Sequence, residues 1–407
     1  MNNLDFLDYS AHTPMVELRR RFHRGETLEQ PVPDVISPLD ALEDVAYVKF
    51  VLRQAYSGYS YYPQSRFDRA FEAVEGELSA RPGPVEVPAL MDLLGRHLSF
   101  LTDGHLSLTT PQHGVGFYRK WQTYVTDLRL TKQGGDYYDA ATGHKVMFGN
   151  TLRLFPTLEG CFLLGCRSWD PLADVELTLD GKQQRLPVHK IQSQPQGEPV
   201  PMAVEYQGET AWVVSSSFVG DTPEALAECR EIGRQCRDYP HVIWDLSNNL
   251  GGNSAFAREF LEGLNGVRPS MGRVLSLRST LVHAKEFGEI KEVPYGFEEE
   301  QEQPAPAPGL FTGTLHVIIN DRVASSGESG VFMALSLPRV VLYGCNTLGI
   351  GRFGDLCVYT LPHSRVTLWC PQKVFVQAPR ETEGYEPQIW LDSPDPASEV
   401  LRHIKQL

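Results

Sequence analysis

The 407-residue sequence contains no CxxC pair and no H-E-x-x-H helix motif. It therefore offers no zinc ribbon, no dithiol redox motif and no zincin-type metal site. No stretch approaches the ~18 consecutive apolar residues of a membrane-spanning helix. The opening segment, MNNLDFLDYSAHTPMVELRRRFHRG, has no apolar core behind a basic start, so no secretory signal is expected and the expected location is cytoplasmic. Excess basic charge is also missing. Lys and Arg number 37 against 51 Asp and Glu, a net charge of -14, which argues against nucleic acid as a partner. The seven cysteines are an odd count in a long chain and read as reduced, mostly buried thiols. Only Cys345 lies close to a segment of chemical interest. No cofactor and no metal are expected.

What is present is an ordinary globular composition, with 42% hydrophobic and 22% charged residues, long enough for two or three domains. Residues 1–110 read as helical: 39–56, 66–79 and 88–101 carry apolar residues at helical spacing. Residues 111–205 are short alternating runs broken by Gly and Asp, a β-rich module closed by the polar, Pro-rich QSQPQGEPVP. From 206 to 407 strands and helices alternate, which implies a parallel sheet covered by helices. Thr222-Pro223-Glu224 is a helix start of capping hydroxyl, proline and first-turn acid. The acidic, Pro-rich PYGFEEEQEQPAPAPG reads as an exposed loop.

Three segments carry candidate chemistry. In NDRVASSGESG (320–330) a buried strand runs into a turn and then a helix, so a serine sits beside free N–H groups and the positive end of the macrodipole. That suits an anionic tetrahedral intermediate, although serines are also common helix caps. The segment is not the G-x-S-x-G elbow. In IWDLSNNLGGNSAF (243–256) adjacent glycines can turn backbone N–H groups toward a ligand, or simply join strand to helix. In FLTDGHLSL (100–108) His105 stands between an amphipathic helix and a strand; a lone histidine is more often structural.

In order along the chain, DGH (103–105), DLSNNLGG (245–252), VASSGE (323–328), GCNTLGIG (344–351) and EGYEPQ (383–388) resemble the motif series of the C-terminal-processing, or tail-specific, serine peptidases. In that family the series reads D-x-H, D-L-R-x-N-x-G-G, T-A-S-A-x-E, G-x-x-T-x-G-K and G-x-x-P-D. The resemblance covers about half the chain. It implies an α/β fold, a crotonase/Clp-like parallel-sheet core with an N-terminal helical region and an inserted module, often a PDZ domain. Here the module lacks a PDZ carboxylate-binding signature. The resemblance also implies Ser325 as nucleophile, three residues before Glu328, with the N–H of Ser326 and of Gly251 or Gly252 as oxyanion donors. Three positions depart from the pattern. Ser247 replaces the Arg, Gln388 the Asp, and Ile350 the lysine that serves as general base in the Ser-Lys members. Isoleucine cannot accept a proton, so the Ser-His-Glu branch, exemplified by the tricorn core protease, is the closer resemblance. It implies His105 as base and Glu383 behind it, with Glu381 as a neighbouring candidate. The implied partner is a peptide or unfolded protein; an oligomer stays open. Two other readings share the scaffold: a binding protein without catalysis, as in the photoreceptor retinoid-binding protein, and a crotonase-like enzyme on acyl thioesters.

Overall fold

The computed structural model describes residues 31–191, 193, 198–300, 309–391 and 393–406. The chain has a mixed α/β fold with several sheets and helices, and its contacts divide it into two compact units.

The first unit takes the described residues of 1–119, 272–301 and 352–377. Helices Pro38–Ala55, Gln64–Ser79 and Val87–His97 follow the helical spacing read from the sequence. The first begins at a capping box: Ser37 Oγ accepts from Asp40 N–H at 3.1 Å while the Asp40 carboxylate accepts from Ser37 N–H. The unit's sheet runs in the order Gly296–Glu300, Val274–Arg278, Thr367–Phe375, Asp103–Thr109, Gly114–Phe117, with Phe353–Thr360 also on Thr367–Phe375. Every pairing in it is antiparallel. His105 thus lies inside a strand rather than ahead of one. The loop expected at 294–309 contains the exposed strand Gly296–Glu300; residues 301–308 lie outside those described. Its alternation had been masked by the run of glutamates, which an edge strand tolerates because both faces meet water.

The second unit takes the described residues of 120–271, 302–351 and 378–407. Strands Thr210–Val214, His241–Asp245, Thr314–Ile319, Val340–Gly344 and Ile389–Trp390 are parallel neighbours, and Ala203–Gln207 adds an antiparallel edge. On one face the helix Ala255–Asn265 packs Phe260 on Trp244, ring centroids 4.9 Å apart. It meets helix Pro223–Cys236 through glycines: a Cβ on Gly263 would fall 2.1 Å from the Arg230 carbonyl. Thr222 caps that second helix, accepting from Ala225 N–H at 3.2 Å. Helix Pro396–Ile404 buries Val400 and Leu401 against Ile243, Ile318 and Tyr343. An eight-stranded antiparallel sheet spans Gln122 to Lys190 around Leu130, Leu164 and Leu177. Among the described residues no helix is long and apolar enough to cross a membrane.

Candidate active site

Ser325 follows strand Thr314–Ile319 and immediately precedes helix Ser326–Ala334. Its backbone sits at φ 51°, ψ -121°, a region that L-residues rarely occupy. Such a conformation costs on the order of 1–3 kcal/mol and survives only where its surroundings enforce it. Here they do. Asn320 Oδ1 accepts from Arg322 N–H at 3.0 Å and from Asn248 N–H at 3.1 Å. Ala324 N–H donates to the Asn249 carbonyl at 2.9 Å, and Leu348 N–H to the Val323 carbonyl at 2.8 Å. The serine side chain is half-buried at the open end of a helix.

The glycine loop lies against it. Gly251 has φ 101°, and a Cβ there would fall 2.9 Å from Ser325 Cβ and 3.0 Å from Ser326 N. Gly252 has φ 127°, and a Cβ there would fall 2.1 Å from the Phe218 carbonyl. Both positions therefore exclude a side chain on conformation and on space. The two glycines are not equivalent as donors. Gly251 N–H is taken by Asn249 Oδ1 at 2.9 Å, and the fully buried Asn249 is itself held by the Ser215 carbonyl at 2.8 Å. The N–H groups of Gly252 and Ser326 have no acceptor among the described residues. Ser326 Oγ donates to the Gly252 carbonyl at 2.7 Å and keeps the two segments together.

Glu328, in the first turn of the same helix, is 1% exposed. Its carboxylate accepts from Thr347 Oγ1 at 2.5 Å, Gly349 N–H at 2.9 Å and Ile350 N–H at 2.7 Å. Burial outweighs these bonds and pushes its pKa up to about 7. Ile350, where a lysine would be the base, contributes only this N–H and is itself buried. Thr347 Oγ1 in turn accepts from Tyr385 N–H at 2.7 Å, and Asn346 Nδ2 donates to the Glu383 carbonyl at 2.6 Å. Arg167, from the antiparallel sheet, donates to the Glu383 carbonyl at 2.9 Å and pairs with Glu386 at 3.3 Å. Segments 245–252, 323–328, 344–351 and 383–388 are thus joined by direct hydrogen bonds within one unit. Of the two candidate acids, the Glu383 side chain is exposed and Glu381 is 9% exposed.

The fifth segment belongs to the first unit. His105 N–H donates to Asp103 Oδ1 at 2.8 Å, and Asp103 is fully buried, its pKa raised by burial to about 6. Burial lowers the His105 imidazole to about 4, opposed by a hydrogen bond with the Phe353 backbone. The ring is neutral near neutral pH, which a base requires. Its titration lies well below the ordinary ~6.5 of an exposed imidazole.

Two residues escaped the sequence. Glu328 was legible only as a spacing mark for the serine, because its ligands come from 347–350. Asn249 was one polar residue in a polar loop, and nothing local says that it is buried and consumes the Gly251 N–H.

No family model and no curated protein matches this chain. Solved structures do. Mature CPAF complexed with lactacystin is similar over 91% of this chain and 98% of its own, at 14% identity and a TM-score of 0.48. The photosystem II D1 C-terminal processing protease is similar over 90% and 97%, at 14% identity and a TM-score of 0.43. The tricorn protease is similar over 91% of this chain and 36% of its own, at 12% identity and a TM-score of 0.45.

Proposed function

We propose that this protein is a serine peptidase on a crotonase-like core, cleaving peptides or unfolded protein through an acyl-enzyme. Ser325 Oγ attacks the scissile carbonyl while its proton passes to the His105 imidazole. The Gly252 and Ser326 N–H groups receive the oxyanion, Gly251 serving as the spacer that lets the loop approach. The tetrahedral intermediate expels the amine, which takes the proton from the imidazolium. Water then repeats the sequence on the ester and frees Ser325. Glu383 orients the imidazole; Glu381, the more buried carboxylate, is the alternative. Ser325 and His105 belong to different units, and their pairing is part of the proposal.

The observation that carries this reading is the strained Ser325 turn, pressed against a glycine that no side chain can replace and beside two unengaged N–H groups. A turn built only to cap a helix requires none of these. Labelling by a fluorophosphonate, with Ser325→Ala as control, is the test. Stoichiometric labelling lost in the variant is expected. No labelling of the unchanged protein would leave the non-catalytic binding scaffold as the better account.

A further inference from the structure

The strand Asp103–Thr109 is irregular where it carries His105. Asp103 stands opposite Phe117 and Ser107 opposite Gly116, so four steps on this strand face one on its partner. Residues 104–106 form the resulting bulge. Burial records the same slip. Leu106 and Leu108 are buried, and strict alternation would turn residue 104 inward and Asp103 outward. Instead Asp103 is fully buried, and Gly104 and His105 are both only partly so.

A bulge breaks the ladder, and its N–H groups need acceptors from elsewhere. One side chain supplies them here. Asp103 Oδ1 accepts from His105 N–H at 2.8 Å and from Leu106 N–H at 3.3 Å. The place is unfavourable for an acid. Leu106 and Leu108 belong to the unit's apolar core, and Cys370, in the same core, feels the Asp103 charge. Burial raises Asp103 to about 6 in spite of these two bonds and one from Tyr56. Replacing a buried charge by an apolar group of similar volume is often neutral or stabilising, so packing gives no reason for a carboxylate at this position. Nor does its field tune the imidazole: the His105 shift comes from burial, opposed by the Phe353 backbone bond. What Asp103 does contribute is an acceptor directly under the backbone of His105.

We propose that Asp103 is a positioning residue for His105: its side chain replaces the missing strand partner, closes the bulge and fixes the direction in which the imidazole leaves the sheet. The kinetic consequence rests on His105 as the base of the proposed peptidase; the bulge geometry does not. In this role the acceptor is essential and the charge is secondary. Asp103→Asn keeps Oδ1 for both N–H groups, whereas Asp103→Ala removes it and orphans them.

The experiment compares these variants of the full chain by two readouts: carbethoxylation of histidines with diethyl pyrocarbonate, mapped by peptide mass, and steady-state turnover of an unstructured peptide. In Asp103→Ala the bulge opens locally, so His105 should react about tenfold faster. His316, 2% exposed in the other unit, should keep its rate and so exclude general unfolding. Turnover should show kcat reduced about a hundredfold with KM within about twofold, the mark of a displaced base rather than of lost substrate binding. Asp103→Asn should recover at least about tenfold of the loss in kcat and slow His105 again. Serine makes the same local bonds more weakly, so Asp103→Ser should fall between alanine and asparagine and decides the matter if Asp103→Ala does not fold. Unchanged His105 reactivity in Asp103→Ala, or in Asp103→Ser where alanine does not fold, would overturn the proposal. So would an Asp103→Asn protein as impaired as Asp103→Ala, because charge rather than the acceptor would then be at work. Were the unchanged protein to show no turnover, the peptidase reading would fail, while the carbethoxylation rates would still uphold or overturn the role of Asp103.

Discussion

The turn that carries Ser325 and the strand that carries His105 owe their unusual properties to opposite causes. Ser325 is set by backbone: an unfavourable φ, a glycine in contact, and a mesh of short hydrogen bonds from two other segments, 248–252 and 348. His105 lies where the strand's register shifts between Asp103 and Ser107, at a backbone without positive φ, and its environment does the tuning. Burial moves its pKa from 6.5 to about 4 without any neighbouring charge among the causes. Conformation shapes one residue and desolvation the other, so the two should fail differently when perturbed.

The largest effect tests whether they act as one unit. Ser325→Ala and His105→Ala should each reduce turnover of an unstructured peptide by roughly three orders of magnitude or more, and the double variant should be no worse than either. Additive losses, measured as steady-state rates, would separate them. Gly251→Val comes next. Its Cβ would press on Ser325 at a φ that valine avoids, so a loss of about a hundredfold or more is expected, with a lowered melting temperature. The same substitution at Gly252 strikes the Phe218 carbonyl instead and should cost as much. Among the acids, Glu383→Gln and Glu381→Gln should differ, one costing on the order of tenfold to a hundredfold in kcat and the other little.

Acid–base behaviour gives the smaller effects. His105 is depressed in the folded chain, so its stabilisation is present above pH 6.5 and is lost as pH falls toward about 4. Glu328 is raised, so its contribution is present below pH 4.5 and is lost as pH rises through about 7. Asp103, raised to about 6, adds to the Glu328 sense. Glu328→Gln should therefore flatten the loss of stability between pH 4.5 and 7, read from melting temperatures, while a steeper loss would contradict its burial. For activity, the acid limb should lie near pH 4–5 rather than 6.5. A limb at 6.5 would mean that the imidazole is solvated when it works.

Much of this was legible in sequence where the signal is local. Thr222 and Pro223 announced a helix start, and the alternation of strands and helices announced the parallel sheet, although 272–300 and 352–377, read as part of it, pair antiparallel in the first unit. The five motif segments were legible as a series, and four of them meet. What stayed hidden depends on partners far away in sequence. The strands Val274–Arg278 and Thr367–Phe375 pair with each other across about 100 residues, and the latter with Asp103–Thr109 across more than 250. No periodicity encodes that choice. Nor could spacing reveal that Asn249 engages Gly251 and leaves Gly252 as the available donor, because both glycines look alike until their hydrogen bonds are traced.

Arg167 gives the antiparallel sheet a different standing from the one its place in the chain suggests. The sequence reading takes that sheet as an inserted module, the sort that recombination exchanges freely. Yet its guanidinium holds the carbonyls of Thr382 and Glu383 and the carboxylate of Glu386, and Arg153 holds Glu386 as well. A homologous sheet spliced in without these two arginines would keep the connectivity and release the turn beside the site. Modularity here is a property of the gene rather than of the folded molecule, and grafts should carry both arginines with them.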